Sequence, residues 1–305
     1  MKKLGLIIAF LWVSLSLLAQ NHTGSLLWEI SGKDLKKPSY ILGTHHAVGV
    51  SFVDSIQGLA QKLKEVKQVV GEVDMSQMQS TAVAMIQYSM MPAGYSYQSL
   101  LSDDDYKLLD KILTERMGMG MDQMQALRPS MITVFLTQLY CSEVFPEFLN
   151  PNFETIDGYV QTKARSQKKN VIGLETIEEQ FKLIYNSGSI EDQVKELLCL
   201  VKKPEKAIAQ LVELTDFYYK KDLNKICELY LDTYNETDTD DDCNTSQYSL
   251  DGLNKERNDK WLKILPQIMK KKSSLIAVGA MHIAGEEGLL YKLSQMGYTV
   301  EAVRE

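Results

Sequence analysis

Short apolar runs alternate along the chain with longer segments whose apolar residues recur every three or four positions. The short runs predict strands, because they are bounded by glycine or polar residues and are too short for buried helices. In most of them an ionisable side chain lies at or just after the end of the strand. The predicted strands are Ser25–Ile30, Ser39–Leu42, Gln68–Met75, Asn170–Leu174 and Leu275–Val278.

The segments between the strands predict helices. Residues from about 76 to 145 and from about 176 to 234 are mostly helical in pattern, and Ser102 followed by three aspartates indicates a helix N-terminus. A further helix is expected over 254–270, bent at Pro266, and another opens near Glu286. We therefore expect an α/β fold in which a mostly parallel or mixed central sheet is flanked by helices and carries a large helical insertion.

The first nineteen residues differ from the rest. Lys2 and Lys3 precede an apolar run over 4–18, and Ala19 precedes a polar start. This pattern is typical of a secretory signal peptide, which predicts a mature domain over 20–305 in the periplasm or outside the cell. A membrane anchor is the alternative, but the run is shorter than the ~20 residues of a spanning helix. We expect no stable membrane insertion after signal cleavage.

Charge and cysteine content narrow the possible partners and the redox chemistry. The formal net charge is −7, which argues against nucleic acid and anionic membrane surfaces as partners. Cys141, Cys199, Cys227 and Cys243 lack metal-binding spacing. An exported protein can keep disulfides, for instance Cys227 with Cys243, and buried free thiols are the alternative.

A Gly-x-x-His motif occurs twice, each time at the end of a predicted strand. The copies are Gly43–His46 and Gly279–His282, and Glu72 and Glu175 end two further strands. Ligands of α/β proteins bind outside the carboxyl ends of such strands. Two imidazoles and one carboxylate suit a divalent transition metal, so His46, His282 and Glu72 are candidate ligands, with glycine allowing each turn. A second carboxylate could then act as general base.

Each of these residues also has a structural alternative. A histidine at a strand end is often only hydrogen-bonded, Glu72 could pair with Arg257, and Glu175 could face a helix dipole. Asp74 and His45 are expected to have supporting roles. The acidic run with Asp238, Asp240 and Asp242 starts like a calcium-binding EF-hand loop, but Cys243 and Ser249 replace its required glycine and glutamate, which excludes that motif.

Five segments together resemble the TraB/GumN family, which includes the Tiki-type metalloproteases. They are LLWEISGKDLKKPSYILGTHH, VVGEVDM, NVIGLETIEEQ, ERNDKW and SSLIAVGAMHIAGEEGLLYKLSQMGYTV. The resemblance implies a fold related to the erythromycin-esterase (EreA) and ChaN-like proteins. Its similarity to the Tiki-type members also implies peptide hydrolysis with a divalent metal, manganese or cobalt rather than zinc.

The resemblance gives individual residues their expected roles. His46, His282 and Glu72 would bind the metal, and Glu72, Glu175 and Arg257 would form the catalytic set. The family usually has an apolar residue where this chain has His45, so His45 is an alternative ligand. The leading hypothesis is a metal-dependent hydrolase acting on a peptide or other small substrate. A non-catalytic protein that binds or sequesters such a ligand is the alternative, and a ChaN-like haem-binding protein is a weaker one.

Overall fold

The computed structural model describes residues 22–235 and 252–304. The predicted signal peptide, most of the acidic run with its EF-hand-like aspartates, and Cys243 lie outside these ranges.

A six-stranded mixed sheet forms the centre of the molecule, as the sequence predicts. Its strands are β1 (Leu27–Ser31), β2 (Ser39–Thr44), β3 (Gln68–Gly71), β4 (Asn170–Gly173), β5 (Ser274–Gly279) and β6 (Thr299–Ala302). Their order is β4-β3-β5-β2-β1-β6, in which β4, β3, β5 and β2 run parallel. β1 is antiparallel to both of its neighbours, β2 and β6.

The register of the parallel strands brings their carboxyl ends to one edge of the sheet. Thr44 lies opposite Gly279, and Gly71 lies opposite both Ala277 and Gly173. β2 is buried throughout and β5 nearly so, as expected for parallel strands covered on both faces. The residues that follow these strands must therefore lie near one another.

Helices cover the sheet and extend beyond it. The α-helices are α1 (Leu59–Glu65), α2 (Ala82–Ser89), α3 (Tyr97–Leu100), α4 (Asp103–Met117), α5 (Met121–Met124), α6 (Pro129–Val144), α7 (Ile156–Ser166), α8 (Ile177–Tyr185), α9 (Ile190–Lys202), α10 (Pro204–Tyr219), α11 (Leu223–Asn235), α12 (Lys255–Leu262), α13 (Leu265–Lys271), α14 (Ala280–Ile283) and α15 (Leu289–Gln295). Short 3₁₀ helices span Val50–Ser55, Met75–Thr81 and Pro146–Leu149.

The helical insertion has a hydrophobic core of its own. Leu109 and Leu113 of α4 pack with Leu136 of α6 and Leu197 of α9, apart from the core around the sheet. Ser102 caps α4 through the amide of Asp105, as its position in the sequence predicts.

Several predicted boundaries are wrong in detail. β3 ends at Gly71 rather than Met75, because Asp74 accepts the Ser76 amide and starts a 3₁₀ helix. The bent helix predicted over 254–270 is two helices, since Pro266 lies in the first turn of α13. The helix expected near Glu286 begins later, at Leu289.

The structure shows the oxidation states of three of the four cysteines. Cys199 is disulfide-bonded, whereas Cys141 and Cys227 are free. The suggested pairing of Cys227 with Cys243 is therefore wrong; the Cys227 thiol instead packs closely beneath Gly285.

In the described ranges, every helix is too short or too polar to cross a membrane.

Candidate functional site

The two Gly-x-x-His motifs contact each other at the carboxyl edge of the sheet. A Cβ atom on Gly43 would lie 2.6 Å from Ile283 Cδ1 and 3.2 Å from the Cα atom of Ala280. Gly279 has an ordinary backbone conformation, with φ of −52°. We conclude that Gly43 is needed for the close approach of the two turns. Neither glycine is needed to provide a left-handed backbone.

Arg257 lies at the centre of the candidate site. Its Nη2 donates to Oε2 of Glu72 at 2.6 Å and also to Glu175, and its Nε donates to Oε1 of Glu175 at 3.1 Å. The three side chains are only 12%, 11% and 4% exposed for Arg257, Glu72 and Glu175, respectively. The guanidinium also stacks on the Trp261 ring, with Cζ 4.7 Å from the ring centroid. One buried cation is therefore shared by two buried carboxylates.

The environment separates the proton affinities of the two glutamates. Burial opposes ionisation of Glu72, but other interactions outweigh it and lower its pKa. They are the positive charge that His282 carries at low pH, the charge of Arg257, and the Gly279 amide, 2.8 Å from Oε1. Burial raises the pKa of Glu175, and Arg257 only partly offsets that effect. Glu72 is thus the carboxylate that stays ionised, and Glu175 is the one more readily protonated.

Hydrogen bonds to both ring nitrogens fix the orientation of His282. Its Nδ1 lies 2.9 Å from Oδ1 of Asn258, and its Nε2 lies 2.9 Å from Nη1 of Arg257. Burial lowers the pKa of His282 to about 4, so the ring is neutral at pH 7. Because Arg257 can only donate, Nε2 is the acceptor and the proton is on Nδ1. Oε1 of Glu72 is 3.9 Å from the same Nε2.

His46 lies at the open side of the site, where its side chain is 73% exposed. Its Nδ1 is 3.3 Å from Oδ2 of Asp157, and the other oxygen of Asp157 accepts a 2.6 Å hydrogen bond from the hydroxyl of Thr44. The interaction with Asp157 raises the pKa of His46, with a smaller contribution from Glu72. Oδ2 of Asp157 is buried and has no aligned hydrogen-bond donor among the described residues.

His45 and Asp74 point away from this site. Nε2 of His45 is 2.9 Å from the hydroxyl of Thr215, and its ring packs edge-on against Tyr218. Asp74 caps the 3₁₀ helix that follows β3 and pairs with Arg165. Both residues hold neighbouring elements in place.

The arrangement can be compared with a metal centre. The donor types fit, because Nδ1 of each imidazole faces a side-chain oxygen, at 2.9 Å for His282 and at 3.3 Å for His46, as in many metal-binding histidines. As they stand, however, no three His, Cys, Asp or Glu side chains in the described parts of the chain converge closely enough to hold an ion. Arg257 occupies the contact with Nε2 of His282 that an ion would take.

Three residues that contact the site were not identified from the sequence: Asp157, Gln180 and Asn258. Nε2 of Gln180 donates to Oε2 of Glu72 at 3.2 Å. Asn258 directly follows Arg257, so its place beside a candidate residue could have drawn attention to it. Asp157 looks like an ordinary acidic residue in the first turn of a helix, and Gln180 carries no local signal.

A comparison with protein-family models supports the family resemblance seen in the sequence motifs. The model of the TraB/PrgY/gumN family matches residues 26–302. No curated protein and no solved structure matches the chain. Because the matched range includes both Gly-x-x-His motifs, both glutamates and Arg257, the chain belongs to the TraB/PrgY/gumN family.

Proposed function

We propose that this chain is an exported hydrolase that acts on peptides and uses a divalent metal ion held by His46, His282 and Glu72. The observation that carries the proposal is the orientation of the two histidines. Nδ1 of His282 is held by Asn258 and Nδ1 of His46 faces Asp157, which leaves Nε2 of each ring as the metal donor. Glu72 supplies the carboxylate nearest to His282.

The protein side chains have complementary tasks in this proposal. When bound, a divalent ion polarises a peptide carbonyl and makes a water molecule more acidic. Glu72 stays ionised because its pKa is lowered, which suits a ligand. Glu175, whose pKa is raised, is the better proton carrier and acts as general base. Arg257 orients Glu175 and places positive charge where the carbonyl oxygen becomes negative.

The contact between Arg257 and His282 must change for the ion to bind. Nη1 of Arg257 has to leave Nε2 of His282, while Nε and Nη2 can keep their bonds to Glu175. Manganese and cobalt are proposed over zinc on the strength of the family resemblance. Export is supported by the signal-like first nineteen residues and by the disulfide bond of Cys199, since disulfides persist in oxidising compartments.

The decisive experiment is metal analysis of the mature protein, residues 20–305. After reconstitution with Mn²⁺ or Co²⁺ and removal of unbound ion, elemental analysis should find about one ion per chain. His282→Ala and His46→Ala should abolish binding, whereas His45→Ala, a change of the same kind one residue away, should retain it. A peptide library should be cleaved with the ion and left intact with a chelator. Absence of bound metal in the unmodified protein would refute the proposal.

A second candidate function follows from Arg257. The guanidinium already pairs with both Glu72 and Glu175 and donates to Nε2 of His282, so these polar groups have protein partners without an ion. This favours a protein that binds or sequesters a peptide without cleaving it. Such a protein would show peptide affinity that a chelator does not change, and mass spectrometry would find no product.

A further inference from the structure

Lysines gather at the amino ends of the parallel strands, on the edge of the sheet opposite the candidate site. Lys67 directly precedes β3, Lys37 lies two residues before β2, and Lys272 lies two residues before β5. We call the exposed members the amino-edge lysines. They are Lys36, Lys37, Lys64, Lys67, Lys168, Lys271 and Lys272.

Hydrogen bonds between the loops show that these segments lie side by side. The Lys67 amide donates to the carbonyl of Ser273 at 2.9 Å, and the Ser274 amide donates to the hydroxyl of Ser39 at 3.1 Å. The ammonium group of Lys169, just before β4, donates to the carbonyl of Lys64 at 2.8 Å. The starts of four strands therefore form one continuous surface.

This surface has little negative charge of its own. Asp34 pairs with Lys270 at 3.0 Å and Glu65 pairs with Lys62 at 3.2 Å. Within residues 22–235 and 252–304, none of the amino-edge lysines has a carboxylate within ion-pair distance. Burial lowers the pKa of Lys169, and the positive charge of Lys67 lowers it further, as expected where like charges crowd.

We propose that the amino-edge lysines dock the protein peripherally on an anionic lipid surface. Each lysine near such a surface adds electrostatic attraction without needing a shaped pocket, which suits side chains spread over four loops. Nucleic acid is a poorer match, because the loops over 32–38, 64–67, 167–169 and 271–273 contain no aromatic residue on which a base could stack.

The acidic net charge does not exclude this partner. The whole chain has a formal charge of −7, so the rest of the molecule is more acidic still, and the protein carries a charge asymmetry between this edge and the remainder. An anionic surface would attract the amino edge, repel the rest and so orient the protein. The expectation that net charge argues against anionic membrane surfaces gives way to this proposal, which rests on where the charges lie.

The test is co-sedimentation of mature protein with lipid vesicles. Protein should bind vesicles of phosphatidylglycerol mixed with phosphatidylcholine, should not bind phosphatidylcholine alone, and should dissociate as salt is added. Changing Lys36, Lys37, Lys271 and Lys272 to Gln together should weaken binding about tenfold or more.

A control variant separates the proposed edge from net charge. Changing Lys107, Lys111, Lys182 and Lys195 to Gln removes the same charge from exposed helical positions elsewhere and should leave binding unchanged. Three results would overturn the proposal: no binding of unmodified protein to the anionic vesicles at low salt, equal loss in both variants, or tighter binding to a duplex DNA oligonucleotide than to the vesicles. None of these readouts depends on hydrolysis or on bound metal.

Discussion

Replacement of Arg257 by methionine is the sharpest test of the ion-pair network. Methionine fills much of the arginine stem, so packing on Trp261 is largely kept while the charge is lost. Glu72 and Glu175 would then remain as carboxylates that are 11% and 4% exposed, without a cation. Removing one partner of a buried ion pair typically costs about 3–5 kcal/mol, and we expect a loss in that range.

Lys260 provides a control on the same helix, one turn from Arg257. It pairs with Glu179, but the two side chains are 48% and 49% exposed. An ion pair so accessible to water contributes at most about 1 kcal/mol, so Lys260→Met should be nearly neutral. Urea denaturation followed by circular dichroism gives the free energy of unfolding for both variants.

The charges can also be removed together. A triple variant in which Glu72 and Glu175 become Gln beside Arg257→Met should recover most of the lost stability, because no uncompensated charge remains. The Arg257→Met deficit should also shrink as the pH falls towards 5, since the orphaned carboxylates can then take up protons. A deficit below about 1 kcal/mol for Arg257→Met at pH 7 would refute the reasoning.

Further predictions concern the chemistry, the positioning of the ligands, the pH dependence and the export. Glu175→Gln should lower the rate of peptide cleavage by about a hundredfold or more while metal content is retained, which assay and elemental analysis can separate. Asn258→Ala frees Nδ1 of His282 and should weaken metal binding by about 10–100-fold in a calorimetric titration, with Asn258→Asp restoring much of it. Burial lowers the pKa of His45 from 6.5 to about 4. The neutral ring therefore stabilises the fold above pH 6.5, and this contribution is lost as the pH falls towards 4. The free energy of unfolding of His45→Gln should vary less with pH over this range. Mass spectrometry of the exported protein should find Gln20 at the N-terminus, and a retained Lys2 would contradict the signal peptide.

Local pattern was sufficient to predict the strands that carry the site. Each is a short apolar run ending in glycine, and the two Gly-x-x-His motifs and Glu72 follow directly from such runs. Parallel pairing brings the ends of these strands together, so their proximity could be predicted without knowing any side-chain contact. β6 was missed because half of its residues are exposed and its run is only four residues long.

The contacts within the site could not be read from local pattern. Arg257 meets Glu175 and Glu72 across 82 and 185 residues of sequence, and only the pairing with Glu72 had been considered. Asp157 reaches His46 from a helix whose first turn would favour any acidic residue. Net charge has a similar limit, because a sum over the chain does not record where lysines gather.

The glycines that end the parallel strands have a consequence for judging related chains. A Cβ atom on Gly71 would lie 2.5 Å from Nε2 of Gln161, and one on Gly173 would lie 2.9 Å from the amide of Asp74. An alanine at Gly71 would displace Gln161 from its bonds to Val73 and Met75, and one at Gly173 would meet backbone atoms of the adjacent turns. Either change would shift the turns that carry Glu72 and Glu175 without changing a polar residue. A family member could therefore keep every ionisable group of the site and still lose their arrangement, so sorting relatives by those groups alone would class together proteins whose sites differ.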